Sequence, residues 1–161
     1  MSKYPLLDSL NLFLAEDIKS KDNIPNYDNS AMDGFAVRAA DIKGAHRSSP
    51  ARLRIYKGDI AAGDASKTEL EPGFCIPIMT GAVIPRGCDC VVMKEDTETE
   101  GSNLLVCSEF SKGENIRLKG EDIKKGDLAL SKGKKLYPAD IGILASLGVG
   151  EVTVYAPPGW E

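Results

Sequence analysis

This 161-residue chain has few aromatic side chains, a single histidine and no close cysteine pairs of the C-x-x-C kind. With aromatics at only 6%, its core must rest on Val, Ile and Leu. The four cysteines are Cys75, Cys88, Cys90 and Cys107, and His46 lies far from them in sequence. Cys88-x-Cys90 would put two thiols on one face of a strand, still two ligands short of a recognisable zinc site. Reduced, partly buried thiols in a cytoplasmic protein are therefore expected. No apolar run approaches the roughly 18 residues of a membrane helix, and no signal-peptide pattern follows Met1. Twenty Lys+Arg against 24 Asp+Glu give a net charge of -4, without the basic excess of a nucleic-acid footprint. What remains is a globular composition, 42% hydrophobic and 27% charged, long enough for one ordinary domain or two small ones.

Pattern divides the chain into three parts. Residues 6–15 carry Leu6, Leu7, Leu10 and Leu14 at helical spacing and predict a short helix running into an extended piece. Ile24-Pro25 then interrupts regular structure, because a residue before proline avoids the helical region. From residue 52 to 130 short strands alternate with glycine turns; the strand candidates are 53–56, 74–79, 90–93, 104–107, 115–118 and 128–130. Pro77 points to an edge strand or a bulge for the second of these. Turns are expected at Gly58-Asp59, Gly63-Asp64, Pro72-Gly73, Gly87 and Gly126-Asp127. The last part opens with a helix over 138–148. Pro138 suits its first position, Asp140 its first turn, and Gly148 a left-handed stop. A strand over 152–155 follows, stopped by Pro157-Pro158. The fold class expected is mainly β with short flanking helices (α+β), a β-rich middle inserted into an elongated α/β first domain. The boundaries predicted are 1–36 with 119–161 for the first domain and 37–118 for the second.

Three polar segments have little to bury and much to coordinate. Asn29-Ser30-Ala31-Met32-Asp33-Gly34 places an amide, a hydroxyl and a carboxylate close together, with Asp33 a candidate hard-oxygen ligand or proton acceptor. Asp28, Asn29 and Ser30 equally suit a loop in which side chains bond nearby backbone. Met79-Thr80-Gly81-Ala82 offers a hydroxyl beside a bare backbone, which can donate to an oxyanion or merely turn. Lys119-Gly120-Glu121-Asp122, with Arg117, sets two acids beside two cations, an arrangement that is also common on solvated faces.

Taken in order and spacing, these segments resemble the molybdopterin molybdenumtransferase family, which includes the E domain of gephyrin. The matching stretches run from Asp28 through Asp33-Gly34-Phe35-Ala36-Val37-Arg38, then Ile78-Met79-Thr80-Gly81-Ala82 and Pro85-x-Gly87-x-Asp89. Glu95-Asp96 and Asn115-Ile116-Arg117 leading to Gly120-Glu121-Asp122-Ile123 continue the series, with the Ile60-Ala61-Ala62-Gly63 turn also in place. The resemblance implies an enzyme that inserts molybdenum from molybdate into adenylylated molybdopterin, releases AMP and needs Mg2+. It also implies an elongated homodimer whose active cleft lies between one subunit's second domain and the other subunit's third and fourth. On this resemblance Asp33, Thr80 and Asp122 are the candidate catalytic residues, and Asp33 the candidate magnesium ligand. Ser30, Gly81, Arg117, Lys119 and Glu121 are candidates for substrate binding.

Two departures qualify the match. Phe35 stands where the family commonly has tyrosine, losing a hydroxyl and keeping the ring. The chain also ends before the family's pterin-binding third domain and its fourth domain, so the resemblance implies the first two domains, inactive alone. A non-catalytic interaction module of gephyrin-like type is the alternative expectation.

Overall fold

The computed structural model describes residues 1–56 and 69–155. In chain order the strands β1 (Ser2–Pro5), β2 (Phe13–Leu14) and β3 (Ile18–Lys19) come first. There follow β4 (Asn29–Ser30), β5 (Gly34–Val37), β6 (His46–Ile55), β7 (Phe74–Ile78) and β8 (Cys90–Met93). Next are β9 (Thr97–Glu100), β10 (Asn103–Ser108) and β11 (Ile116–Arg117), and last β12 (Leu128–Leu130), the helix α1 (Pro138–Ser146) and β13 (Glu151–Tyr155). The predicted turns at Gly58-Asp59 and Gly63-Asp64, the Ile60-to-Gly63 turn and the Pro157-Pro158 stop lie outside the described residues.

The chain divides into two compact units. One is Met1–Asn26 with the chain from Gly120 onward, and the other is Tyr27–Lys119. A middle segment is thus inserted into a discontinuous first unit, and the first crossing lies at 26/27, not at 36/37 as predicted. The reason is β5, which pairs on both sides within the inserted sheet and takes residues 27–36 with it.

The first unit holds the sheet β1-β13-β2 and the pair β12-β3. On β13, Val152 and Val154 point to one face by the period-two rule and are buried with Leu6, Leu14, Leu130, Leu136 and Leu144. The leucine-spaced start is one 3-10 turn, Leu6–Ser9, not a longer helix. Asn11 takes the left-handed conformation (φ 67°), which ends any helix and redirects the chain into β2. α1 matches its sequence signals: Asp140 accepts the Tyr137 N–H at 3.0 Å, and Gly148 has φ 71°.

The second unit is built on a six-stranded sheet of order β8-β5-β7-β6-β10-β9, with the small pair β11-β4. Among the described residues its named strands pair antiparallel except β6 with β7, and an isolated parallel bridge joins Glu69 and Arg86. Alternation buries both faces near β8 and β5. Cys90, Val92 and Val37 enter the larger core with Leu53, Leu104 and Val106. Val91 and Ala36 enter a smaller cluster with Ile78. Phe35 packs against the larger core, consistent with a ring kept without its hydroxyl.

Pro77 does not make β7 an edge strand, for β7 lies inside the sheet. Cys75 gives its carbonyl to the Tyr56 N–H, at 2.8 Å, so Cys75 and every second residue address the β6 side. Pro77 has that parity, and the β6 pairing ends at Ile55↔Cys75. Its missing N–H therefore costs no rung of the β6–β7 ladder among the described residues.

Candidate functional site

The second unit brings three strand ends together. β5 runs antiparallel to both neighbours, and Gly34, its first residue, pairs with Ile78 of β7 on one side and Met93 of β8 on the other. The residue before β5 is Asp33, so it emerges where β7 and β8 finish. Only glycine fits at the junction: a Cβ on Gly34 would stand 1.9 Å from the Val92 carbonyl oxygen and 3.2 Å from the Lys94 nitrogen. Lys94 donates its backbone N–H to the Asp33 carbonyl at 3.3 Å.

From the β7 side, Thr80 makes two bonds to one atom. Its backbone N–H and its Oγ1 hydroxyl both donate to Asp33 Oδ1, each at 2.8 Å. These bonds, the backbone one foremost, hold the exposed carboxyl below its ordinary pKa, with a smaller contribution from the positive charge of Lys94. Burial opposes them weakly. Asp33 is therefore a carboxylate at neutral pH, with Oδ1 occupied. The Thr80 hydroxyl, for which the sequence allowed donation to an oxyanion or a mere turn, directs its proton at the Asp33 carboxylate.

Ser30 and Gly81 shape this corner through their backbones. Gly81 N–H donates to Ser30 O at 2.8 Å, and Ser30 N–H donates to Ala82 O at 2.9 Å. Gly81 sits at φ 82°, where a side chain would be strained. Ser30 is buried, and its hydroxyl donates to the Met32 carbonyl at 2.5 Å. That hydroxyl forms the turn leading to Asp33 and does not face outward. Arg117 pairs with Asn29 across β11 and β4. Lys119 gives its N–H to Asp28 Oδ1 at 2.7 Å and holds its ammonium 6.0 Å from the centre of the Tyr27 ring.

Glu121 and Asp122 belong to the first unit. There the Asp122 N–H donates to Ile24 O at 3.0 Å, beside the Ile24↔Ile123 bridge. Both side chains are exposed. Within the second unit, sequence reasoning named Asp33 and Thr80 and missed Lys94. An antiparallel pairing of the predicted strand 90–93 with the residues after Asp33 would have pointed to it.

Among the described residues no three His, Cys, Asp or Glu side chains gather into a group able to hold a metal ion. Magnesium asks less of a protein, since it keeps several waters and commonly takes one or two carboxylates together with substrate phosphates. One exposed carboxylate, anchored by Thr80 through a single oxygen, fits that kind of ion and not a protein cage. The cysteines offer no alternative. Burial pushes the Cys75, Cys88 and Cys90 thiols up to about 12, and Cys75 and Cys90 lie within the core.

Comparison with known proteins agrees with the geometry. The family described as MoeA N-terminal region (domain I and II) matches residues 1–148. The chain is 42% identical over 157 residues to the molybdopterin molybdenumtransferase of Bacillus subtilis, covering 95% of this chain and 36% of that protein. It is 42% identical over 151 residues to that of Haemophilus influenzae, covering 93% and 36%. A crystal structure of a molybdopterin biosynthesis MoeA protein from Pyrococcus horikoshii superposes with a TM-score of 0.88 at 37% identity, covering 98% of this chain and 41% of that one. The chain thus spans about 36% of the length of the curated relatives it matches. With the β-rich architecture and the ordered segments matched together, the chain belongs to the MoeA family through its N-terminal region, domains I and II.

Proposed function

We propose that this chain forms part of a molybdopterin molybdenumtransferase, which inserts molybdenum from molybdate into adenylylated molybdopterin and releases AMP. The observation that carries the reading is the Thr80–Asp33 arrangement: one oxygen of an exposed, ionised carboxylate is fixed by two donors. A carboxylate oriented in this way can align a water or accept a proton as an adenylyl linkage is cleaved. Gly81 leaves the neighbouring backbone bare, and Arg117 and Lys119 add positive charge for a phosphate-bearing substrate. Asp33 would hold Mg2+ through a carboxylate oxygen, and the ion, when bound, would supply charge neutralisation at the phosphate. Asp122 and Glu121 enter the proposal on family correspondence alone, as a catalytic and a binding residue respectively. A cytoplasmic homodimer completes the reading.

Because the chain spans about 36% of its relatives' length, we propose that its 161 residues do not turn over substrate alone. A chimera tests the function directly. Replacing the corresponding region of the Bacillus subtilis relative with this chain should preserve molybdenum insertion and AMP release in vitro. Asp33→Asn in the same chimera should lower the rate on the order of 10²-fold or more. A folded chimera whose rate survives that change would overturn the assignment, and so would insertion by the isolated chain at the rate of a full-length relative.

A further inference from the structure

The order β8-β5-β7 has a consequence on the side of Asp33 away from Thr80. Thr80 follows β7, Asp33 precedes β5 and Lys94 follows β8, so the three residues stand side by side at one end of three adjacent strands. The close approach is enforced by backbone: Gly34 has no room for a Cβ against Val92, and Lys94 N–H is bonded to the Asp33 carbonyl. Lys94 is exposed, and among the described residues its ammonium closes no ion pair within 4.0 Å.

We propose that Lys94 is an anion-binding residue of the Asp33 site, placing its ammonium against the phosphate-bearing part of the substrate while Thr80 holds Asp33 from the opposite strand. The chemistry it would recognise is a phosphate ester or anhydride, because an unpaired ammonium is a strong donor to phosphate oxygens. The proposal rests on the functional reading above for the nature of the ligand, and on the sheet register for the placement. Lysine suits the task better than arginine at an open sheet end, since a point charge tolerates a ligand that approaches from several directions.

The test compares the wild-type 161-residue chain with Lys94→Gln and Lys94→Arg, using inorganic pyrophosphate as the probe. Calorimetry gives the affinity, and backbone amide NMR shifts at Asp33, Thr80 and Lys94 give the place of binding. Lys94→Gln should weaken pyrophosphate about tenfold, the worth of one charge-assisted hydrogen bond, and in the wild type the shifts should gather at these three amides. Lys94→Arg, which keeps the charge, should stay within a few-fold of wild type. Equal pyrophosphate binding by wild type and Lys94→Gln removes Lys94 from the site and leaves the phosphate reading standing. Wild-type binding that leaves those three amides unshifted overturns the placement. A wild-type chain that does not bind pyrophosphate overturns the inference together with the phosphate reading.

Discussion

Both hydrogens that Thr80 can offer, from its backbone and its hydroxyl, are given to one oxygen of Asp33 at 2.8 Å. Thr80 thereby acts on the reaction through Asp33. Thr80→Val removes the hydroxyl bond and keeps the backbone one, so the Asp33 titration midpoint, followed by side-chain carboxyl NMR, should rise toward its ordinary value without reaching it. Thr80→Ser should restore the wild-type titration. The backbone bond is the larger of the two influences, and this predicts that the shift survives in part. In an active chimera, the acid limb of the rate profile should move with that midpoint. A Thr80→Val protein with wild-type titration and reduced rate would instead give the hydroxyl a direct contact with substrate.

Gly34 is the second structural condition for the site. A methyl group there would meet the backbone oxygen of Val92 at 1.9 Å, and a carbonyl in a paired strand cannot swing aside as a flexible side chain can. Gly34→Ala should force β5 and β8 apart at the end where Asp33 and Lys94 meet. The expected cost is about 3 kcal/mol, at the upper end of common single substitutions. Urea unfolding followed at core amides of the second unit would measure it. Gly44→Ala is the comparison: a Cβ there meets nothing within 4 Å, but its φ of 75° imposes a backbone strain that Gly34, outside the left-handed region, does not share. A negligible loss at Gly34→Ala would show that the strands absorb the Val92 contact.

The helix α1 was legible because its signals are local. Pro138, Asp140 and Gly148 each act within a turn of their own position. β8 and β12 were also read at their observed bounds, from short apolar runs between turns. β5 was not, since Gly34-Phe35-Ala36-Val37 follows a polar stretch and reads as the tail of a loop until its two partners are known. The same gap misplaced the first boundary between the units. Asp33 and Thr80 could be named individually, but the bond between them spans 47 residues and depends on the β5–β7 register. At Ser30 the local sequence is equally silent: the residue lies buried with its hydroxyl bonded to the Met32 carbonyl, which its polar type and motif do not reveal.

The thiols give a check on burial. Cys75, Cys88 and Cys90, raised to about 12, are almost wholly protonated at pH 7.5, and thiolate is the reactive form. In the native chain a thiol reagent should therefore leave Cys75, Cys88 and Cys90 largely unmodified during a short exposure. All four should react once the chain is unfolded in guanidinium. Mass spectrometry of peptides after a short exposure distinguishes the sites. Early labelling of Cys75 or Cys90 would mean that the second unit opens its core on the labelling timescale.

Asp140 should contribute a pH-dependent part of the first unit's stability. Its Oδ1 lies 2.7 Å from the Lys134 ammonium and its Oδ2 accepts the Tyr137 N–H, joining the start of α1 to the segment before it. The hydrogen bond from Lys134 is the main cause of a pKa below the ordinary 3.8, against the opposing effect of burial. A carboxyl whose pKa falls on folding binds its proton more readily in the unfolded chain, so its contribution is complete above the ordinary value. It is lost as pH falls through the folded pKa. Asp140→Ala should cost about 1–2 kcal/mol at pH 7, the worth of a helix-start carboxylate with a partly exposed cation. The gap between wild type and variant should then close progressively below about pH 4. Urea midpoints followed at α1 amides at pH 7, 5, 3 and 2 would show it. A gap as wide at pH 2 as at pH 7 would mean that the side chain matters through packing and not through its charge.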